Sequence, residues 1–197
     1  MEPETLRLAD DGEIPNNPRL PVLLFRGVLP AGDPAAAEAL FARNGWPPAW
    51  RNGIYPYHHY HPNAHEALAI ARGTVRVQLG GERGQVIDLV AGDVVVLPAG
   101  VGHRNLGGSS DLLVVGAYPP GQAPEQCRAD RATHDRALPR IAATPDPAGD
   151  PVRGLPWPGL AWTDGAMAEG SAGTSAAARA HCPQFSPDAP ACRRNRR

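Results

Sequence analysis

Between Thr74 and Leu79 the side chains alternate strictly, with Val75, Val77 and Leu79 apolar and Thr74, Arg76 and Gln78 polar. A period of two is that of a strand with one buried face, which leaves Arg76 and Gln78 on the solvated side. Short Val-, Leu- and Ile-rich segments separated by Gly turns run from Arg51 to Tyr118. Residues 80–84 read as a hairpin loop, residues 86–90 as the next strand, Ala91-Gly92-Asp93 as a tight turn and residues 94–97 as a further strand. Gly107-Gly108-Ser109-Ser110 divides the segment at 103–106 from the one at 112–115. Evenly spaced short strands with turn signals between them predict an all-β sandwich or barrel.

The flanks carry weaker patterns. Leu20-Pro21-Val22-Leu23-Leu24-Phe25 is an apolar run, and Pro21 argues for an edge strand. Asp33 followed by Pro34 is an N-cap and first-turn signature; residues 35–42 are helix formers, and Asn44-Gly45 supplies the stop. Trp46-Pro47-Pro48-Ala49-Trp50 reads as a stiff connection, and residues 123–143 as partly helical, with Thr133 capping a helix at 134–138. Residues 1–19 read as a polar extension and residues 20–162 as the folded domain. Residues 163–197 contain no Leu, Ile or Val, which predicts a disordered tail.

Composition narrows the class. Gly 22 and Pro 23 among 197 residues exclude a long-helix bundle. A net charge of −1, with no Lys, lacks the basic excess of a nucleic-acid binder, and the terminal Arg193–Arg197 run reads as a solvated end. No apolar stretch approaches the roughly 18 residues of a membrane span, and the acidic start is not a signal peptide. Three cysteines without paired spacing fit a reducing compartment. These features predict a cytoplasmic protein with neither a nucleic-acid nor a membrane partner.

The candidate chemistry is concentrated in histidine. His58, His59, His61 and His65 fall within eight residues, and His103 follows the turn at 98–102. Strand parity puts His59 and His61 on one face and His58 on the other. Imidazoles from His59, His61 and His103 with the Glu66 carboxylate make a mixed nitrogen and oxygen metal site, leaving two positions of an octahedral ion open. A hydrogen-bonded polar cluster is the plainer reading, and His65 in place of Glu66 is a second ligand register. Tyr55 and Tyr57 share parity with His59, which makes them candidates for the pocket wall and for acid–base catalysis.

The spacing Gly53, His59, His61, Glu66, Gly73 is similar to the first cupin motif, and Gly92, Pro98, Gly100, His103 to most of the second. Where the second motif has Asn four residues after its His, this chain has Gly107; the nearest Asn is Asn105. Flanking segments, including His58-His59-Tyr60-His61 and residues 117–122, resemble small bacterial cupins of YjlB type across about residues 20–162. The resemblance implies a double-stranded β-helix (jelly-roll) barrel with short flanking helices. It also implies the ligand set His59, His61, Glu66 and His103 for a divalent metal, Fe or Mn first, with Ni, Zn and Cu as alternatives. The expected activity is metal-dependent chemistry of dioxygenase or isomerase type on a small molecule; the alternative is a non-catalytic binding or sensing cupin with a structural metal. A homodimer formed through Leu20–Phe25 completes the expectation.

Overall fold

The strict alternation at Thr74–Leu79 becomes a strand with Val75, Val77 and Leu79 buried. A computed structural model describes residues 2–157, so the disordered-tail expectation for 163–197, with Cys182 and Cys192, lies outside the described residues. In chain order the elements are β1 (Glu4–Leu6), β2 (Val22–Phe25), α1 (Pro34–Arg43), β3 (Pro48–Asn52), β4 (His59–Tyr60), β5 (Glu66–Arg72) and β6 (Thr74–Leu79). They continue with β7 (Gln85–Val90), β8 (Val94–Leu97), β9 (His103–Gly108), β10 (Leu113–Ala117), β11 (Cys127–Arg128) and α2 (Arg131–Ala143). Six strands form one sheet in the order β1-β2-β8-β5-β10-β3, and five form a second in the order β11-β4-β9-β6-β7. All strand pairs among the described residues are antiparallel. This is the expected cupin-type double-stranded β-helix with two flanking helices.

Two apolar layers hold it. Val75, Val77, Leu79 and Leu89 of the five-stranded sheet pack between the sheets with Leu68, Ile70, Val95 and Leu97 of the six-stranded one. The opposite face of the six-stranded sheet is buried as well. On β5 the large residues Leu68 and Ile70 alternate with Ala67, Ala69 and Ala71, and the alanines join Phe41 of α1, Trp46 and Trp157 in a second cluster. Small side chains let the helix approach the strand. Burial on both faces is why Val94–Leu97 is continuously apolar. Asp33 caps α1 by accepting from the Ala36 N–H at 3.0 Å, and Gly45 at φ 79° ends it as expected.

Several local expectations are corrected. The apolar run at 20–25 is not an edge: β2 lies between β1 and β8, and Leu20 and Val22 to Phe25 are buried in their own chain. Pro21 precedes the ladder and removes no bond from it. The connection at 46–50 is half strand: Pro48 starts β3, an edge strand, where a missing N–H is tolerated. The cap of α2 is Asp130, not Thr133; its carboxylate accepts from the N–H groups of Ala132 and Thr133. Gln78 is buried rather than solvated, because Arg104 Nε donates to it and its own amide donates to the Glu82 carbonyl. The first nineteen residues contribute β1, a buried Ile14 and a buried Asn16, which bonds to Ala9, Gly80 and Gly102.

Candidate metal centre

Directly opposed residues of an antiparallel pair project to the same side. Arg128 opposes His59, His59 opposes His103, and His103 opposes Leu79. Leu79 belongs to the layer between the sheets, so the whole row faces inward. Glu66 begins β5 on the other sheet, opposite Leu97, and His61 lies just past β4. The site therefore draws side chains from both sheets.

One ligand nitrogen from each of His59, His61 and His103 lies within 4.8 Å of the others, and all three residues are buried. Each ring is held from behind by a backbone carbonyl. Nδ1 of His59 meets Tyr57 O at 3.2 Å, Nδ1 of His61 meets Glu125 O at 2.8 Å, and Nδ1 of His103 meets Val101 O at 3.3 Å. A carbonyl accepts only, so each Nδ1 donates to it, which leaves Nε2 as the nitrogen of each ring that can ligate an ion. This backing of metal-binding imidazoles fixes tautomer and ring orientation. Glu66 Oε2 lies 3.2 Å from Nε2 of His103 and 3.5 Å from Nε2 of His61, buried and without a hydrogen bond. Ligands at right angles on an ion about 2.1 Å away are about 3 Å apart. The donor set and the orphaned oxygen fit a divalent cation.

Charge reinforces this. Burial, then the neighbouring His103 and His61, push His59 well below the usual imidazole range. Burial alone would lower His61, but the charge of Glu66 outweighs it and raises His61. Burial would likewise raise Glu66, yet the imidazoles of His61 and His103 hold it well below the usual carboxylate range. The pocket is therefore built around an anionic Glu66 that takes a positive neighbour.

The remaining candidates separate. His65 is buried outside the cluster, with both nitrogens engaged: Nδ1 accepts from the Ala99 N–H at 3.1 Å and Nε2 donates to Pro145 O at 3.2 Å. Burial pushes it down to about 4. His58 is buried on the opposite side of the strand, and its Nε2 lies 3.9 Å from the Glu82 carboxylate. Tyr55 and Tyr57 stack at 4.9 Å, and both rings lie edge-on to His59, at 5.1 and 5.9 Å. The Tyr57 hydroxyl accepts from Gln126 Nε2, which leaves its own proton for donation.

Sequence reasoning assigned no role to Tyr118. Its hydroxyl donates to Glu66 Oε1 at 2.7 Å and accepts from Trp50 Nε1 at 2.9 Å. Ala117 opposes Ala67, which sets Tyr118 beside Glu66. The available signal was the segment at 117–122, which carries part of the resemblance but no metal-ligand residue type. Arg128 was missed because a two-residue strand in a polar stretch has no readable period.

The family described as Cupin domain matches residues 51–114. The uncharacterized protein YjlB of Bacillus subtilis (strain 168) is 40% identical over 153 residues, 78% of this chain and 92% of that protein. Among solved structures, a DUF861 family protein from Thermotoga maritima is 18% identical and covers 48% of this chain and 96% of its own, with a TM-score of 0.31. The S161A mutant of Bacillus subtilis oxalate decarboxylase OxdC is 22% identical over 49% of this chain, with a TM-score of 0.32; the match spans only 24% of that enzyme. With a 40% identical relative along most of both chains and the cupin domain matched across the histidine cluster, this chain belongs to the cupin family, among the small YjlB-like cupins.

Proposed function

We propose that the chain is a metal-dependent cupin enzyme that binds one divalent ion, Fe or Mn first, through His59, His61, Glu66 and His103, and acts on a small molecule. The observation that carries this reading is the backing of all three imidazoles by carbonyls, with Nε2 of His103 and of His61 3.2 and 3.5 Å from the orphaned Glu66 oxygen. A bound ion would supply Lewis acidity or a place for dioxygen beside substrate, chemistry of isomerase or dioxygenase type. The chain's own part is to hold the site: carbonyls orient the imidazoles, Tyr118 orients Glu66, and apolar strands exclude water. Tyr57, with its hydroxyl proton available, is the preferred acid–base group, and Tyr55 stacks against it to fix its ring.

Metal per chain, measured by mass spectrometry, tests the ligand set, with circular dichroism to confirm folding. His59→Ala, His61→Ala, His103→Ala and Glu66→Ala each lower metal content, whereas His65→Ala keeps it. Loss of metal in His65→Ala with retention in Glu66→Ala would replace Glu66 by His65. Oxygen-consumption and product screening of the loaded protein then tests catalysis; saturable binding without turnover assigns a binding role instead.

A further inference from the structure

Arg128 shares the inward face of β4 and β11 with His59, its register partner. Its guanidinium carbon lies 3.9 Å from the centroid of the Tyr57 ring, which itself lies 5.9 Å from His59. Stacking on an aromatic face holds the guanidinium plane and leaves its donor edge available. Nε of Arg128 is buried and has no hydrogen-bond partner. Among the described residues no carboxylate pairs with Arg128, whereas Arg26, Arg104 and Arg153 each sit on one. A half-buried guanidinium held on an aromatic face, with its buried Nε unmatched, stands near a candidate metal centre and is placed to receive an anion.

We propose that Arg128 anchors the carboxylate of the small molecule this site takes, so that the ligand is an organic acid. The assignment rests on the metal reading above for its charge balance. A divalent ion with one Glu66 carboxylate leaves a single positive charge, and Arg128 raises it to two. One planar donor fork beside the flat Tyr55–Tyr57 pair suits a planar, two-oxygen anion. A phosphate would ask for donors on more sides. Arg128 thus selects the substrate class, while Tyr57, beneath it, keeps the guanidinium in place.

The test titrates malonate, acetate, the neutral diamide malonamide and inorganic phosphate into wild type, Arg128→Met and Arg128→Lys by calorimetry. Each protein is studied manganese-loaded and metal-free, with metal content and melting temperature measured alongside. Arg128→Met keeps the apolar stem on Tyr57, so it should retain metal content and melting temperature yet bind malonate about tenfold or more weakly. Arg128→Lys should fall between, and malonamide should bind none of them. If Arg128→Met unfolds, the Lys variant and the diamide comparison decide the same question. Equal malonate affinity in wild type and both variants, or no carboxylate binding by wild type in either metal state, overturns the proposal. Arg128-dependent preference for phosphate over malonate overturns the carboxylate assignment. Arg128-dependent malonate binding in a chain that takes no metal supports the anchor and defeats the metal reading; metal loading with Arg128-independent binding does the reverse.

Discussion

One hydroxyl links the candidate centre to the edge of its sheet. Tyr118 gives its proton to Glu66 Oε1 and takes one from Trp50 Nε1, so it orients the carboxylate and raises no competing charge. Tyr118→Phe should leave the fold intact and weaken metal affinity by about tenfold, the low end for loss of a group that orients a ligand. Competition against a metal-binding dye measures this, and unchanged affinity would deny Tyr118 a positioning role. Trp50 in turn depends on Gly116, its register partner across β3 and β10. A Cβ at Gly116 would fall 2.0 Å from the indole, far inside contact distance. Gly116→Ala should therefore displace Trp50 and cost about 1–3 kcal/mol in thermal unfolding, because an overpacked site has to shift its neighbour.

At the scale of elements, α2 is tied to the N-terminal segment by a titrating contact. His134 Nε2 lies 2.8 Å from Asp10 and Nδ1 lies 2.9 Å from Asp135. Burial lowers the His134 pKa, but Asp135 and Asp10 outweigh it and raise it above the usual 6.5. The folded chain therefore holds the proton more tightly than the unfolded one. The stabilisation is complete below about pH 6.5 and is lost as pH rises through the folded value. Both carboxylates are exposed, which keeps the effect under about 1 kcal/mol. The melting-temperature gap between wild type and His134→Gln should be widest near pH 5.5 and close by pH 9; a constant gap would mean packing alone. These contacts also mark what the sequence made legible. The alternation of β6, the glycine turns and the Asp33-Pro34 cap are local, so strand and helix positions followed from them. Parity aligned His59 with His61 for the same reason, whereas the joining of His103 and Glu66 to them rested on the resemblance of the spacing to the two cupin motifs. Burial of Gln78, the covering of Val22–Phe25 by β1, and the places of Tyr118 and Arg128 depend on partners 16 or more residues away, which no local period encodes.

Across the whole molecule the two sheets are joined by different chemistry at the two ends of β5. Near Ile70, the buried Asp93 accepts from the N–H groups of Gly27 and Val90 and from Arg26, whose guanidinium also reaches the Asp88 carbonyl of β7. That end is closed by protein alone. At the other end stand Glu66 from the six-stranded sheet and His59 and His103 from the five-stranded one, with Glu66 Oε2 buried and unbonded. An ion held there would add a cross-link between the sheets through a Glu66 oxygen that has no hydrogen-bond partner. Binding to the folded state alone, at a free concentration 100 times the dissociation constant, stabilises by about 2.7 kcal/mol. A chain of this size gains about 2–4 °C per kcal/mol, so loading with Mn(II) or Fe(II) should raise the melting temperature by about 5–10 °C and chelation should reverse it. Glu66→Ala should abolish that response because it removes the six-stranded sheet's contribution to the cross-link. Asp93→Asn should lower the melting temperature and leave the metal response intact, since its bonds lie at the far end. A wild-type chain whose melting temperature ignores both metal and chelator would show that this end of the barrel is held without an ion.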